Sequence, residues 1–358
     1  MKILIISSKY PPALGGVENV VANLSKEFAK FKINTLVLTS FLLKNRSKFK
    51  NYLKTSSLVK KTNGVSVKKV FMSLPRSIFG YLIFPYRFVL GVLEMRIVIK
   101  KYKPNLINFH FPDDSLVYFY FAKIGLNIPT YTNIHGNELH KFSKNIFYRF
   151  FLKRILTKSK NVIVNSTFMS DELLKFYPSI SKGKIAVINN SINLKKFKKY
   201  KTVKIKFEPQ SYYLFFGRLD KKKGLDILIR AFNLLKEKTN KNLLIIGPVV
   251  KSYPDIERLK KIAPKNTYFL GPKVGDELKN YIKNAYFSIF PSLLEPFGLV
   301  ALESMASGVP VISSNSGGLP EVNIHGKSGF LSPVGDIDGM TKNALYILSD
   351  ETRLNAFK

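Results

Sequence analysis

The sequence contains no cysteine, only four histidines and no uninterrupted apolar run of membrane-spanning length. The absence of cysteine excludes disulfides, thiolate metal ligands and catalysis by a thiol. Four histidines argue against a multi-histidine metal site. The longest apolar region, residues 78–99, is interrupted by Pro85, Arg87, Glu94 and Arg96 and is therefore a poor membrane span.

The amino-terminal residues also do not resemble a secretion signal. It has a short apolar run, residues 3–6, without a small-residue cleavage site, and this pattern indicates a first buried strand. We therefore expect the protein to stay in the cytoplasm.

Acidic residues are scarce, with 23 Asp and Glu against 58 Lys and Arg and a formal net charge of +35. Two interpretations stay open. Scattered lysines accompanied by much Asn, Ile, Phe and Tyr are typical of an A/T-rich genome, whereas a field of this size also favours phosphate-bearing ligands and anionic membrane surfaces. Because no helix-turn-helix or aromatic-basic RNA motif stands out, we do not expect a nucleic-acid partner.

Short apolar strands alternate with amphipathic helices along the chain, which predicts parallel sheets covered by helices on both faces. The alternation pauses across residues 189–210, a Lys-rich stretch that we interpret as a linker. We predict an α/β protein with two doubly wound Rossmann-like domains facing across a cleft, residues 1–190 and 191–358.

Apolar runs and their flanking residues locate the elements. The predicted strands are residues 2–7, 33–39, 65–71, 106–110, 130–133, 161–165, 185–188, 212–216, 242–246, 267–270, 287–290 and 309–313. The predicted helices include residues 18–31, 89–101, 171–176, 225–236, 254–262, 275–283, 298–307 and 336–348.

Three candidate site residues follow strands of the first domain. Gly16, in a Gly-Gly pair ahead of a helix, can offer backbone N–H groups to a phosphate, although glycine there can also be purely steric. His135, just past a strand end, can bind substrate or transfer a proton, and His110 is a weaker candidate of the same kind. A lone histidine is more often structural.

Two further clusters follow strands of the second domain. Arg218 and Lys223 lie between a strand and the next helix, where both can reach a diphosphate and Arg offers a forked donor. Lys221 and Lys222 beside them are interpreted as solvated charges. Val274 lies in a strand-to-loop passage suited to main-chain contact with a nucleobase.

The most specific pattern is a pair of carboxylates, Glu295 and Glu303, separated by seven residues. The spacing places Glu295 in a loop and Glu303 inside the helix that follows, with Gly298 between them. The first turn of that helix leaves N–H groups free for an anion. Two acids around an anion site suit a ligand with hydroxyls at both ends and phosphates in the middle, which is the shape of a nucleotide-sugar.

Residues 292–321, with the run Gly-Gly-Leu-Pro-Glu at 317–321, resemble the signature of retaining glycosyltransferases of the glycogen-synthase-like group, and particularly its family-four branch. The resemblance covers nearly the whole chain. The Gly15–Gly16 pair is similar to the family's N-terminal glycine loop, and residues 187–193 are similar to its domain-crossing segment. Gly217–Arg218 with Lys223–Gly224 match its phosphate-binding cations.

The resemblance implies the GT-B fold and a role for each matched residue. Arg218 and Lys223 would neutralise the departing diphosphate in place of a metal ion, so no metal and no other cofactor is expected beyond the nucleotide-sugar co-substrate. Glu295 would contact the transferred sugar and steady its electron-poor transition state, while Glu303 would hold the ribose. The backbone groups implied at sugar and phosphate are those of Phe297, Gly298 and Leu299.

The resemblance also implies contacts at the two ends of the donor. Main-chain groups near Val274 would meet the base, Gly16 would approach the phosphates from the first domain, and His135 would lie near the sugar and acceptor. Relatives usually continue into a helix that crosses back onto the first domain. Here the chain ends at Lys358, so either the second domain is truncated or that packing is absent.

We therefore predict an enzyme of the hexosyltransferase class. It would move a sugar from a nucleotide-diphosphate donor to a saccharide or lipid-linked acceptor, with retention of configuration, in cell-envelope polysaccharide or glycolipid synthesis. A nucleotide-sugar epimerase and a non-catalytic nucleotide-sugar-binding protein stay open as alternatives. Residues 76–103 could dock the first domain peripherally on the inner, anionic membrane face, or residues 89–101 could simply be a core-packing helix.

Overall fold

The computed structural model describes residues 1–11, 15–40, 59–62, 64–74, 84–142, 145–250, 253, 255–350 and 352. Parts of three sequence predictions lie outside these residues: positions 12–14 ahead of the first glycine pair, positions 76–83 of the docking region, and Pro254 at a predicted helix start. The chain divides into two compact units, Met1–Asn189 and Asn190–Lys358.

The first unit is built on an eight-stranded sheet in the order β3-β4-β2-β1-β5-β6-β7-β8. Its strands are β1 Lys2–Ser7, β2 Asn34–Ser40, β3 Val59–Thr62, β4 Val65–Val70, β5 Leu106–His110, β6 Thr130–Ile134, β7 Asn161–Val164 and β8 Ile185–Val187. Its α-helices, numbered along the described residues, are α1 Gly16–Lys30, α2 Phe84–Tyr102, α3 Ser115–Lys123, α4 Asn137–Phe142, α5 Ile146–Lys158 and α6 Thr167–Phe176.

Strand β1 shows why the strands of this sheet are apolar throughout. Ile3 and Ile5 pack into one hydrophobic cluster with residues of α1, whereas Leu4 and Ile6 pack into a second cluster with residues of α2 and α3. Because successive side chains of a strand point to opposite faces, both faces of β1 are buried. This confirms the predicted doubly wound arrangement.

One strand departs from the predicted parallel pattern. Strand β3 pairs antiparallel with β4, with Val59 opposite Lys68, at the edge of the sheet. Its sequence, Val-Lys-Lys-Thr, carries too little apolar character to be recognised as a strand. Lysines are typical of edge strands, where they oppose pairing with another chain.

The second unit contains a six-stranded parallel sheet in the order β11-β10-β9-β12-β13-β14. Its strands are β9 Tyr212–Phe216, β10 Asn242–Ile246, β11 Thr267–Gly271, β12 Ser288–Phe290, β13 Val311–Ser314 and β14 Gly329–Ser332. Its α-helices are α7 Lys195–Lys198, α8 Leu225–Leu235, α9 Ile256–Ile262, α10 Gly275–Lys283, α11 Leu299–Ala306, α12 Leu319–Val322 and α13 Ile337–Leu348, and the 3-10 turn Lys221–Lys223 follows β9.

Several predicted element ends are shifted, and for two of them the structure shows a local reason. Helix α6 begins at Thr167, not residue 171, because the Ser166 hydroxyl accepts a hydrogen bond from the Met169 amide at 3.1 Å and caps the helix. Strand β13 begins at Val311, not residue 309, because Pro310 has no amide hydrogen for the ladder.

Among the helices that the structure describes, none combines the length and the apolar character needed to cross a bilayer.

Candidate active site

The strand order of the second sheet indicates where a ligand would bind. Strands β9 and β12 are neighbours although two strands separate them in sequence, so the direction of winding reverses between them. Ligands of open α/β sheets bind at the carboxyl ends of the strands at such a switch point. Arg218 and Lys223 follow β9, and Glu295 follows β12, so three of the predicted residues flank this point.

Lys223 and Glu295 form an ion pair here. The Lys223 Nζ lies 2.5 Å from the Glu295 Oε2, and the two side chains are 15% and 11% exposed. A charge-assisted bond that is mostly shielded from water holds both groups in one geometry. The structure therefore brings together two residues that lie 72 positions apart.

The turn that carries Lys223 is fixed to the loop that carries Glu295. Asp220 caps the turn by accepting a hydrogen bond from the Lys222 amide at 3.0 Å, and the Lys222 carbonyl accepts one from the Leu293 amide at 2.8 Å. Gly224 has a φ of +64°, and a methyl group on it would lie 2.0 Å from the Pro291 carbonyl oxygen. Only glycine allows this approach of the two backbones.

The run at 317–321 is hydrogen-bonded to the loop that carries Glu295. The Gly318 amide donates to the Glu295 carbonyl oxygen at 2.9 Å. Gly298, with a φ of +109°, precedes α11 so closely against Leu319 that a methyl group would lie 2.8 Å from the Leu319 Cδ2. The motif thus acts as one folded unit.

Phe297 and Gly298 lead into α11, and Leu299 is its first residue. The Phe297 side chain is buried, so it anchors the start of the helix. N–H groups of a first helical turn have no partner within the helix and can bind an anion. These three residues follow Glu295 by two to four positions, at the start of α11.

Arg218 lies beside this helix start. A methyl group on Gly217 would be 3.8 Å from the Val300 Cγ1, so the end of β9 contacts the first turn of α11. The Arg218 side chain is 48% exposed, and its Nη2 is 3.7 Å from the Asp220 Oδ2. The guanidinium is therefore loosely held and open to a ligand.

Glu303 lies inside α11, as its spacing predicts. Its side chain is partly accessible, but the surrounding protein atoms desolvate the carboxyl, and this burial raises the pKa of Glu303 to about 7. A carboxyl with this pKa changes charge near neutral pH.

We expect replacement of Glu303 by glutamine to remove a pH dependence of stability. The native state holds the Glu303 proton up to about pH 7, whereas the unfolded chain releases it near 4.5, so the contribution of Glu303 to stability is lost as pH rises between these values. At pH 8, Glu303→Gln should be the more stable protein by ~1–3 kcal/mol. Urea titrations from pH 5 to pH 8 measure this, with the exposed Glu237→Gln as the control. A stability difference between the wild-type protein and Glu303→Gln that stays constant from pH 5 to pH 8 would contradict the assignment.

Val274 lies apart from these groups. It precedes α10 after the edge strand β11, and β10 separates β11 from β9. Its side chain is 55% exposed.

The sequence contains one Asp-x-Asp triplet, Asp336 to Asp338, a spacing that can bind a metal ion. The Asp336 Oδ1 accepts a hydrogen bond from the Gly339 amide at 2.8 Å and caps α13. Within the described ranges, no three His, Asp or Glu side chains converge on a metal position.

The first unit has its own switch point, between β1 and β5. Gly16 begins α1 after β1, and a methyl group on Gly15 would lie 2.3 Å from the Glu18 Oε2, so this buried carboxylate covers the helix start. His110 ends β5 and His135 follows β6, its neighbour in the sheet.

The two histidines contact each other directly. The His110 Nδ1 lies 3.2 Å from the His135 Nε2, and the rings stack with centroids 5.4 Å apart. Burial lowers the pKa of His135 to about 4, and burial together with the neighbouring His135 lowers the pKa of His110 well below its usual value. Both rings are therefore neutral near pH 7.

Sequence reasoning missed two carboxyl groups beside this pair. The Glu138 Oε1 accepts a hydrogen bond from the His135 amide at 2.8 Å, and Asp113 accepts one from the Ser8 hydroxyl at 2.6 Å. Burial raises the pKa of both groups, that of Glu138 to about 7. Their position directly after β5 and β6 was the available signal, because residues at those strand ends meet at one edge of the sheet.

Comparison with known proteins identifies the class. Residues 14–196 match the family described as Glycosyltransferase Family 4, and residues 196–358 match the family described as Glycosyl transferases group 1. The chain belongs to glycosyltransferase family 4, and it is a glycosyltransferase with the GT-B fold.

Individual relatives span most of the chain. An uncharacterized glycosyltransferase of Methanocaldococcus jannaschii is 27% identical over 98% of this chain and 89% of its own length. Among solved structures, sucrose-phosphate synthase from Thermosynechococcus elongatus has a TM-score of 0.78 at 21% identity, covering 99% of this chain and 92% of that one. HepE of Anabaena, solved with UDP and glucose, has a TM-score of 0.77 at 21% identity, covering 100% and 92%.

Proposed function

We propose that this glycosyltransferase is a retaining enzyme that moves a sugar from a nucleoside-diphosphate donor to a saccharide or lipid-linked acceptor in cell-envelope polysaccharide or glycolipid synthesis. The donor binds the second unit at the β9–β12 switch point. The Lys223–Glu295 pair carries this proposal, because a cation for phosphate and an acid for sugar hydroxyls are already joined there at 2.5 Å. The UDP and glucose bound by HepE support a donor of this class.

In the proposed site, different residues bind different parts of the donor. Arg218 and Lys223 face the diphosphate, the start of α11 supplies N–H groups from Phe297 to Leu299, and Glu303 receives the ribose hydroxyls. Main-chain groups near Val274 meet the base. For the first unit, we propose that Gly16 contacts phosphate and that His135 contacts the sugar or acceptor.

The ion pair prepares the site before the donor arrives. With no donor bound, Glu295 neutralises the Lys223 charge, so neither group is left unpaired in a position that is mostly shielded from water. When a donor binds, the ammonium can share its hydrogens with a phosphate oxygen while the carboxylate accepts from sugar hydroxyls. The groups thus need little reorganisation as the reaction begins.

In the reaction, the bond between the anomeric carbon and the phosphate oxygen breaks, and negative charge grows on the departing diphosphate. Fixed cations and helix N–H groups stabilise this charge without a metal ion, so we propose that no cofactor is needed. The acceptor oxygen attacks from the same face and passes its proton to the departing phosphate. The donor's configuration is therefore retained.

A product assay with a nucleotide-sugar panel tests the proposal against its two rivals. We expect one nucleotide-sugar to raise the melting temperature and to release free nucleoside diphosphate only when an acceptor is present. Conversion of the sugar without nucleotide release would indicate an epimerase. Stabilisation without any turnover across a broad acceptor panel would indicate a binding protein.

The proposal extends to peripheral binding at the inner, anionic membrane face, where lipid-linked acceptors lie. Helices α2, α3 and α5 are adjacent: the Phe88 and Phe121 rings are 5.6 Å apart, and the Phe121 and Phe151 rings are 5.8 Å apart. Large apolar side chains are exposed on the outer side of these helices, and we call this surface the apolar-basic face. Its apolar residues are Tyr86, Val89, Leu93 and Ile97 on α2, Phe121 on α3, and Ile146, Phe147 and Phe150 on α5.

Charge supports an anionic partner for this face. Lys and Arg number four in α2, one in α3 and four in α5, whereas the three helices contain a single acidic residue, Glu94, which pairs with Lys68 at 3.7 Å. Apolar side chains surrounded by cations are typical of surfaces that dock on anionic bilayers. Helix α2 also has a buried side at Met95 and Ile99, so it packs in the core and exposes an apolar stripe at once.

We expect the double variant Phe147→Ser/Phe150→Ser to bind phosphatidylglycerol vesicles about tenfold or more weakly than the wild-type protein, because two exposed aromatic side chains no longer enter the interface. Ile324→Ser, at an exposed apolar residue of the second unit, is the matched control. Sedimentation with these vesicles at increasing salt measures the binding. A wild-type protein that stays in the supernatant even at low salt would reject membrane docking.

A further inference from the structure

The geometry of the His110–His135 contact restricts which ring nitrogens of the two residues carry a proton. Both rings are neutral near pH 7, so each carries one N–H and one bare nitrogen. The facing atoms, His110 Nδ1 and His135 Nε2, lie 3.2 Å apart, and one of them must donate to the other. Two proton arrangements satisfy this geometry.

In the first arrangement, the His110 Nδ1–H donates to the His135 Nε2, and the His135 proton lies on its Nδ1. In the second, the His135 Nε2–H donates to the His110 Nδ1, and the His110 proton lies on its Nε2. The two arrangements differ in what they leave at the far nitrogen of His110.

The surroundings of the His110 Nε2 distinguish the two proton arrangements. His110 is 1% exposed, and its Nε2 is buried with no hydrogen-bond partner among the residues that the structure describes. The second arrangement would leave a buried N–H without an acceptor, whereas the first leaves only a bare lone pair. Buried N–H groups without a partner are the rarer and costlier of the two cases.

We infer that His110 is a positioning residue: its Nδ1–H donates to the His135 Nε2, fixes the ring and places the His135 proton on Nδ1. Glu138 holds the backbone of the same residue by accepting from the His135 amide at 2.8 Å. In the described part of the chain the His135 Nδ1 has no partner, and the residue stays partly accessible. The free edge of His135 is therefore an N–H donor.

This inference rests on the proposed function for its consequence. If His135 contacts substrate, it contacts it as a neutral hydrogen-bond donor to a hydroxyl or phosphate oxygen. It does not act as a general base, because its bare nitrogen is already occupied by His110. His110 itself, being buried, touches no substrate.

Nitrogen-15 NMR of histidine-labelled protein tests the proton arrangement directly. The chain has four histidines, so single replacements assign each ring. We expect the ligand-free wild-type protein near pH 7 to show His135 protonated on Nδ1 and bare on Nε2. A wild-type His135 protonated on Nε2 would overturn the inference.

Two variants of His110 extend the test. His110→Asn keeps an N–H donor close to the position of Nδ1 and should retain the His135 arrangement, with kcat within about threefold of wild type. His110→Leu removes the donor and should give a mixture of His135 protonation forms and a kcat lowered about tenfold or more. Equal losses in both variants, with the His135 signals unchanged, would assign His110 a merely structural role.

The spectra need no substrate, so the two proposals fail separately. The expected protonation pattern together with an absence of sugar transfer would reject the proposed function and leave the positioning role of His110 standing.

Discussion

Replacement of Arg218 by alanine is expected to lower kcat about 10²- to 10³-fold while the protein stays fully folded. The loss corresponds to removal of one preorganised contact to the charge that grows on the diphosphate, typically ~3–4 kcal/mol of the barrier. Stability should not change, because the side chain is 48% exposed and its ion pair with Asp220 is long, at 3.7 Å. Such exposed pairs contribute at most about 1 kcal/mol.

Lys221→Ala is the matched control for this prediction. Lys221 is exposed and lies three residues from Arg218, and it is not part of the proposed site. Its replacement by alanine removes the same charge as Arg218→Ala. Rates of nucleoside diphosphate release and melting curves for both variants decide the matter. If Arg218→Ala retained wild-type turnover, or if Lys221→Ala lost as much, the diphosphate site would be misplaced.

Replacement of Glu295 by alanine is expected to abolish detectable turnover, a loss of at least about 10³-fold, and also to destabilise the protein. Glu295 is the partner of Lys223, whose side chain is only 15% exposed. Removing the carboxylate leaves an ammonium group shielded and without this partner, which should cost ~1–3 kcal/mol in the free energy of unfolding.

A second substitution separates the two effects. In the Glu295→Ala background, Lys223→Met removes the stranded charge and keeps an apolar stem of similar length. We expect urea titrations to show that most of the lost stability returns, while turnover stays absent. Stability that falls further in the double variant would mean that the pair does not behave as a coupled unit.

The proximity of Arg218, Lys223 and Glu295 could be predicted from sequence because these residues lie in short runs at strand ends. Arg218 and Lys223 follow β9, and Glu295 follows β12. Parallel strands bring their carboxyl ends to one edge of the sheet, so position in the pattern already implies proximity. The ion pair itself was not predictable, since it depends on the contact of Gly224 with Pro291.

The first unit was harder to interpret. His110 and His135 were both candidates, but their contact depends on the register that sets His110 opposite Asn133 in neighbouring strands. Glu138 and Asp113 were missed because their position after β6 and β5 places them at the sheet edge but does not show that they are buried. Both acquire their raised pKa values only when the surrounding chain excludes water.

Helix α5 shows a different limit. Its apolar residues occur on both sides: Leu152 and Leu156 are buried, whereas Ile146, Phe147 and Phe150 are exposed. A helix with apolar residues on both sides has no clear amphipathic period, so sequence cannot assign its buried face. The same exposed residues are those that we propose to dock on a bilayer.

The central claim is that Arg218, Lys223, Glu295 and Glu303 bind one nucleoside-diphosphate sugar, and a crystal structure of the protein soaked with UDP-glucose tests it most directly. The account predicts diphosphate oxygens within ~3.5 Å of the Arg218 guanidinium and the Lys223 ammonium, with sugar hydroxyls on Glu295 and ribose hydroxyls on Glu303. A nucleotide-sugar bound elsewhere, with the Lys223–Glu295 pair untouched by it, would contradict the account.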